Sequence, residues 1–347
     1  MKIFIIGCGR IFSKHFESIK ALGEKKFKIV GIADVDIKKI NYFSKLLKVP
    51  VFKDYKKGIK ITNPDLVSIL TPSGIHAKII LDSLKLNKHV IVEKPMCLRI
   101  KDAKKIIQLS KMIKKNVYVV MQNKFNLPVL KLRDDIKNNK FGKIFHASVS
   151  VRWNRTQSYY DQAQWRGTWK QDGGVISNQA SHHLDLLRTI MGDPISVFAK
   201  NFRHLAKIQA EDTSLVIIKF KSNRSGFIEA TTAVQPKNIE GSISIMGTKG
   251  SAKIGGFALN KIEYYNIDKS ININKYQTNP KNVYGFGHYA FYDHVFFSIK
   301  NKTTSEFLCQ NSYATIKLIN AIYKSSETGK EIFFNEDKNI SSKLLGN

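Results

Sequence analysis

At 347 residues, with 43% hydrophobic and 24% charged side chains, the chain is long enough for two domains and a large core, and bulk disorder is excluded. Its three cysteines, Cys8, Cys97 and Cys309, form no CxxC pair, which speaks against a disulfide framework or a cysteine zinc site and suits a reducing cytoplasm. The formal net charge is +30, yet only nine of the 57 basic residues are arginine and the lysines run through almost every segment; nucleic-acid recognition instead concentrates basic residues on one element. The charge is read as solvated lysine faces whose field can draw in a small anion. No apolar run approaches the roughly 20 residues that span a bilayer.

Lys2–Ile6 is a short apolar run of strand type. It stops at Gly7, and Arg10, Lys14 and His15 follow at once, so it reads as a first β-strand rather than a signal peptide. After the Gly7-Cys8-Gly9-Arg10-Ile11 turn, a helical pattern runs through Phe16, Ile19 and Leu22 to Gly23. In this setting a GxG pair lets the backbone approach a pyrophosphate, and the helix start supplies partial positive charge. A second strand, Phe27–Ala33, ends at Asp34, about 25 residues past the turn, where a carboxylate binds ribose hydroxyls and disfavours a 2′-phosphate. NAD is therefore expected over NADP. Phe12 replaces the third glycine of the fingerprint, which leaves the packing of that helix open.

The alternation continues with helices Asp36–Leu47, Ile75–Leu86 and Ile100–Lys114, and strands Val51–Phe52, Pro64–Leu70, Val90–Val92 and Val117–Met121. Such a pattern predicts a parallel sheet with helices on both faces and ligands at the strands' C-terminal ends. Thr71, Pro72, Glu93, Lys94, Gln122 and Asn123 stand at such ends. Lys94 follows a fully apolar strand, and Pro95 biases its backbone towards an extended geometry. A lysine held there can hydrogen-bond a sugar hydroxyl and, when partly desolvated, lower its pKa.

Asn126–Asn139 reads as a connecting helix and Lys143–Trp153 as a long strand. The stretch Trp153–Asp185 then opens dense in aromatic, amide and guanidinium groups: Arg155, Tyr159, Tyr160, Trp165 and Arg166, with Arg152 just before it. Three of the nine arginines fall here, the strongest indication of anion contact in the chain. Its second half predicts a helix behind Asp172-Gly173-Gly174, with Asp172 as its cap. Helical spacing puts Asn178, His182 and Asp185 on one face, with His183 pointing away. An amide, an imidazole and a carboxylate so aligned can position and deprotonate a hydroxyl, although buried structural histidines are common.

Strand patterns follow at Ser196–Phe202, Thr213–Phe220, Ser225–Ala233, Ser242–Met246 and Lys261–Asn266, with a turn at Gly247–Gly250. A broad sheet of this kind often uses its open face as an oligomer interface. In Tyr284-Gly-Phe-Gly-His288 the glycines let the imidazole approach a ligand. Tyr313–Tyr323 is a last helix, and residues from Asn335 read as a polar tail.

At Gly7-x-Gly9, Glu93-Lys94-Pro95 and His182-x-x-Asp185 the sequence resembles the Gfo/Idh/MocA oxidoreductases, over nearly the whole chain. The resemblance implies an α/β fold: an N-terminal Rossmann dinucleotide-binding domain (1–124) and a C-terminal α/β domain (125–347) with a large, mostly antiparallel open sheet. It implies that Lys94 and His182 are the catalytic pair around a sugar carbinol carbon, with Asp185 steadying the site. Cofactor contacts are then expected from Gly7, Gly9, Arg10, Ile11 and Asp34. Later strand ends add Thr71, Pro72, His76, Glu93, Lys94 and Gln122, and the second domain adds Trp165 and Arg166. Many members carry aspartate where this chain has Asn178. The run through Trp165–Trp169, Asp172–Gly174 and Asn178–Leu187 is similar instead to nucleotide-sugar 3-dehydrogenases acting on UDP-N-acetylglucosamine or its uronic acid. Those serve surface-polysaccharide or lipopolysaccharide sugar biosynthesis. Substrate contacts are expected from Lys94, Arg152, Arg155, Tyr159, Tyr160, Asn178, His182, Asp185 and His288.

That subgroup can recycle NADH with a 2-oxo acid. A cytoplasmic homo-oligomer, dimer or tetramer, is expected, with no metal, nucleic-acid or membrane partner. Two alternatives stand beside this reading: a dehydrogenase of a free polyol or aldose such as inositol, and a non-catalytic NAD-binding regulator. A pure sensor needs neither Lys94 nor His182.

Overall fold

In the computed structural model, which describes residues 1–267, 271–280 and 285–347, the chain forms two compact units. One comprises Met1–Cys97, Lys101–Met121 and His288–Tyr313; the other comprises Leu98–Ile100, Gln122–Gly287 and Ala314–Asn347. No helix of the described residues is long and apolar enough to cross a membrane.

The first unit is built on β1 (Lys2–Ile6), α1 (Phe12–Leu22), β2 (Lys28–Ala33), α2 (Ile37–Leu47), β3 (Val51–Phe52), α3 (Tyr55–Thr62), β4 (Leu66–Ile69), α4 (His76–Lys85), β5 (His89–Val92), α5 (Ile100–Met112) and β6 (Val117–Val119). All strand pairs are parallel, in the order β3-β2-β1-β4-β5-β6. A parallel sheet covered on both faces buries continuous apolar runs, and Leu66–Ile69 is buried at every position. The strand order reverses direction between β1 and β4, the place where such sheets open a crevice for ligands. Helix α3 escaped the sequence reading because only Gly58 and Ile59 of its eight residues are buried; Asp54 caps it by accepting from Lys56 N and Lys57 N.

The second unit carries α6 (Leu127–Lys137), β7 (Ile144–Arg152), α7 (Gln157–Asp161), a π-turn (Val175–Gln179), α8 (Ser181–Met191) and β8 (Pro194–Phe202). It continues with β9 (Thr213–Phe220), β10 (Arg224–Thr231), β11 (Glu240–Gly247), β12 (Gly250–Gly255) and β13 (Lys261–Tyr265). With β14 (Ile332–Phe333) these strands form an eight-stranded sheet ordered β13-β12-β11-β7-β10-β9-β8-β14. Only β7 and β10 pair in parallel; the other neighbours are antiparallel. In β9 the inward Val216, Ile218 and Phe220 are buried while Leu215, Ile217 and Lys219 face outward, the alternation of a half-covered sheet. Strand β12 was missed; its glycine-bounded, short sequence pairs back on β11 through Gly247↔Gly250.

Two helices complete the chain before its end, α9 (Gly287–Lys300) and α10 (Cys309–Thr328). The residues beyond Asn335 are not a free polar tail. They form α11 (Asp337–Ile340), bury Leu345 to 1% exposure, and dock by Gly346 N donating to the Trp169 carbonyl.

Candidate active site

Gly7 closes β1 with φ +99°, and a Cβ there would lie 2.8 Å from the Leu70 carbonyl carbon and oxygen, so only glycine fits. At Gly9 the Cβ position meets nothing within 4 Å. Where the fingerprint has its third glycine, the Phe12 ring is fully buried, 4.3 Å from Phe43 between centroids, and α1 starts there all the same. No side chain caps α1; of its first-turn amides, Phe12 N and Lys14 N donate to the Gly9 and Ile11 carbonyls, both at 3.1 Å. At the end of β2 the Asp34 carboxylate accepts from Cys8 N (2.6 Å) and Asp36 N (2.9 Å). His76 is buried and bridges two strand ends, its ring nitrogens 2.8 Å from the Pro95 and Thr71 carbonyls.

Lys94 follows β5, and its amide donates to Glu93 Oε2 at 3.1 Å. Glu93 Oε1 accepts from His15 Nε2 at 2.9 Å, and His15 Nδ1 lies 2.8 Å from the Tyr292 hydroxyl, which is 3.0 Å from Ser68 Oγ. This pattern assigns the His15 proton to Nε2 and makes Tyr292 the donor to Nδ1. Burial would raise the Glu93 carboxyl, but His15 and His288 together outweigh it and hold the group well below the usual range. Burial likewise lowers His15. His288, 2% exposed, brings Nε2 to 3.8 Å from Glu93 Oε1, outside hydrogen-bond reach. His15, Glu93 and His288 each offer one ligand atom within 4.8 Å of the others, yet both His15 nitrogens are already engaged. Tyr284 lies outside the described residues.

In the second unit the predicted single helix is two elements. The π-turn Val175–Gln179 precedes α8, and Ala180 joins them. Asp172 does not cap this helix as expected. Its carboxylate accepts instead from Gly167 N (2.8 Å) and from the Asn178 amide, so it closes the loop onto the turn. Asp185 accepts from Thr315 Oγ1 at 2.7 Å and pairs with Lys124 Nζ at 2.8 Å, both buried. It anchors α8. His182 is 9% exposed, and His183 is fully buried against Trp153, ring centroids 5.8 Å apart.

The aromatic–guanidinium cluster does assemble. Arg155 lies 5.1 Å over Trp153 and 5.3 Å over Tyr159, and Arg166 lies 4.7 Å over Trp165. The Tyr159 hydroxyl accepts from Arg166 Nη1 (2.5 Å) and Gln179 Nε2 (3.0 Å), which ties the cluster to the π-turn. Tyr160 is buried with its hydroxyl 2.9 Å from Thr232 Oγ1. Tyr160 and Arg166 line a cavity of ≈ 870 Å³ together with Arg203 and Lys207, within the upper range of small-molecule sites. Arg152 stands apart from this group: its guanidinium donates to Glu229 (2.8 Å) and Glu240 (2.8 Å) on neighbouring strands. Gln122 is buried in a 3₁₀ turn.

Residues 1–121 match the NAD-binding Rossmann-fold model of the Gfo/Idh/MocA oxidoreductase family, and residues 133–333 match its C-terminal alpha/beta domain. The chain belongs to the Gfo/Idh/MocA oxidoreductases. Among solved structures, the WlbA dehydrogenase of Chromobacterium violaceum, in complex with NADH and UDP-GlcNAcA, is 32% identical with a TM-score of 0.90, covering 96% of each chain. Its Bordetella pertussis counterpart, with the same two ligands, is 30% identical at TM-score 0.90, covering 97% of this chain and 98% of that one. Among curated relatives, the myo-inositol 2-dehydrogenase of Thermotoga maritima is 26% identical over 72% of this chain and 74% of its own.

As a Gfo/Idh/MocA member the protein is an NAD-dependent oxidoreductase. Its own residues fit the cofactor: the uncapped start of α1, the fixed Asp34 carboxylate, and a buried Thr71 Oγ1 with no hydrogen-bond partner among the described residues. Sequence reasoning missed His15, Tyr292, Lys124, Thr315, Glu211 and Tyr323. His15 alone carried a local sign, a histidine three residues from Phe12 and four from Ile19 on the apolar face of α1.

Proposed function

We propose that this enzyme oxidises a secondary hydroxyl, at C3, of a UDP-N-acetylglucosamine-type nucleotide sugar or its uronic acid, for surface-polysaccharide or lipopolysaccharide sugars. What carries the reading is full-length likeness, at 32% and 30% identity, to two enzymes solved with UDP-GlcNAcA. The cavity lined by Arg166, Arg203 and Lys207 against one carboxylate, Asp161, supports an anionic ligand there; His182 and Asn178 do not line it.

Bound NAD supplies the hydride acceptor. The chain's residues supply proton traffic and orientation. His182 accepts the hydroxyl proton as the carbonyl forms, and Lys94 donates a hydrogen bond to the same oxygen. The Asp185 anchor keeps α8, and so His182, in place. Asn178 orients the sugar; Arg155, Tyr159, Tyr160, Trp165, Arg166 and His288 divide the sugar, diphosphate and nicotinamide contacts. The free-polyol reading keeps a specific support in the inositol dehydrogenase relative.

The test mixes protein, NAD and 2-oxoglutarate with a panel of UDP-sugars and polyols, following reduced nicotinamide and product mass. A 3-keto UDP-sugar supports the proposal. Turnover of inositol with none of any UDP-sugar overturns it. We further propose a homo-oligomer that uses the open sheet face, where Phe198, Ile217 and Phe227 stand in register and exposed.

A further inference from the structure

A helical turn begins with amides that have no partner inside it, and the π-turn before α8 has no cap from its own N-terminal residue, Gly174. Its donors are met from two remote positions. Gly174 N (3.1 Å) and Ser177 N (3.3 Å) donate to the Tyr323 hydroxyl. Val175 N donates to the Glu211 carbonyl (3.1 Å) and Ile176 N to Glu211 Oε1 (3.0 Å). The Tyr323 hydroxyl in turn donates to that same Oε1 at 2.8 Å. One tyrosine and one glutamate therefore satisfy the amides of residues 174–177. Tyr323 is 1% and Glu211 4% exposed, so water does not compete. The fit is close: a Cβ on Gly174 would lie 2.2 Å from Glu211 Oε2 and from its carbonyl oxygen.

π-Turns are rare and cluster at functional sites. This one carries Asn178 and Gln179 and leads directly into His182, so its winding sets where those side chains point. We propose that Glu211 and Tyr323 form a buried clamp that fixes the π-turn and thereby positions Asn178 and His182, without either touching substrate. The proposal rests on the reading of His182 as proton acceptor. Glu211 and Tyr323 are positioning residues in this sense. The groups facing Glu211 are Tyr323 and Asp172; burial raises its pKa, and the Asp172 charge adds to that.

Tyr323→Phe removes the hydroxyl that serves two amides and Oε1; Glu211→Gln keeps the oxygen that accepts from Ile176 and Tyr323. In the NAD-bound full-length enzyme, Tyr323→Phe is expected to lower kcat about 10- to 100-fold through misplacement of His182, with KM for NAD unchanged. Glu211→Gln is expected to keep kcat within about threefold, rescue by the conservative variant, since its acceptor geometry survives. Hydrogen exchange of amides 174–177 rises at least about tenfold in Tyr323→Phe and stays slow in wild type. The His182 ring, followed by NMR titration, shifts its midpoint in Tyr323→Phe. Wild-type kcat and exchange in Tyr323→Phe overturn the clamp. Should that variant not fold, fast exchange of amides 174–177 in the wild-type enzyme overturns it equally. If wild type oxidises none of the UDP-sugars, the functional reading fails on its own, and exchange together with the His182 titration still decides the clamp.

Discussion

Lys94 follows Glu93, and His182 follows a turn held by Glu211; each glutamate is linked to a buried tyrosine hydroxyl, and the two behave in opposite ways. Beside Lys94, Glu93 receives a donor on each oxygen, His15 Nε2 on Oε1 and the Lys94 amide on Oε2, and its carboxyl is held well below the usual range. Before His182, burial pushes Glu211 up to about 7; both its donors, Ile176 N and Tyr323, crowd onto Oε1, while Oε2 has no partner among the described residues. Burial opposes both charges. What separates them is their neighbours: the His15 and His288 imidazoles lower Glu93, whereas the Asp172 charge raises Glu211 further. The first cluster holds a fixed charge; the second holds a group that titrates near neutrality.

The harshest break of this comparison removes what the clusters support. Lys94→Met and His182→Ala are each expected to lower turnover by roughly 10²- to 10⁴-fold, the range of a lost proton-transfer group. NAD affinity, read by calorimetry, should change little. Near-wild-type turnover in both variants would sink the assignment.

His15→Phe comes next. It strips Glu93 Oε1, 12% exposed at its side chain, of its donor and the fully buried Tyr292 of its acceptor, so the expected loss of stability is about 2–4 kcal/mol by urea denaturation. Glu93 should then titrate upward and lose its contrast with Glu211. A loss under about 0.5 kcal/mol would mean that the network contributes no more than an ordinary surface contact.

The pH dependence of stability sharpens the contrast by sign. Glu211 has a folded pKa raised from 4.5 to about 7, so its contribution is fully present below 4.5 and is lost as pH rises through about 7. The loss is of order 3 kcal/mol. Glu93, with its folded value lowered, contributes stability above 4.5 that is lost as pH falls below it. Urea midpoints of wild type and Glu211→Gln between pH 5 and 8 isolate the first effect. The variant should gain on wild type as pH rises, and a constant difference would show that Glu211 does not titrate in this window.

The first of these clusters was partly legible in the sequence, the second hardly at all. Short apolar strands, the Gly7-x-Gly9 turn and Asp34 lie close together in the chain, so local patterning finds the parallel sheet and its strand ends, Lys94 among them. His182 and Asp185 were legible through helical spacing. The π-turn was not, since a period of 3.6 carries no mark of an extra residue in one turn. Its support comes from Glu211 and Tyr323, separated by 112 residues in sequence, and no local pattern links them. Asp172 misled for the same reason: its place before a glycine pair looks like a cap, while its partners are set by the fold of the loop.

The smallest expected effect concerns the arginines. Arg155 and Arg166 stack on aromatic rings, whereas Arg152 is 38% exposed at its side chain and matched by Glu229 and Glu240. A half-exposed ion pair of this kind contributes little, typically under about 1 kcal/mol. Arg152→Gln should therefore cost no more than that in stability and leave KM for the nucleotide sugar within about twofold. Arg166→Gln should raise the same KM by about tenfold, because a neutral amide cannot present the charged fork that Arg166 offers the cavity beside Arg203 and Lys207. If the two KM effects came out reversed, Arg152 would have to leave its carboxylates for the substrate, and Glu229→Gln would then raise affinity by releasing it.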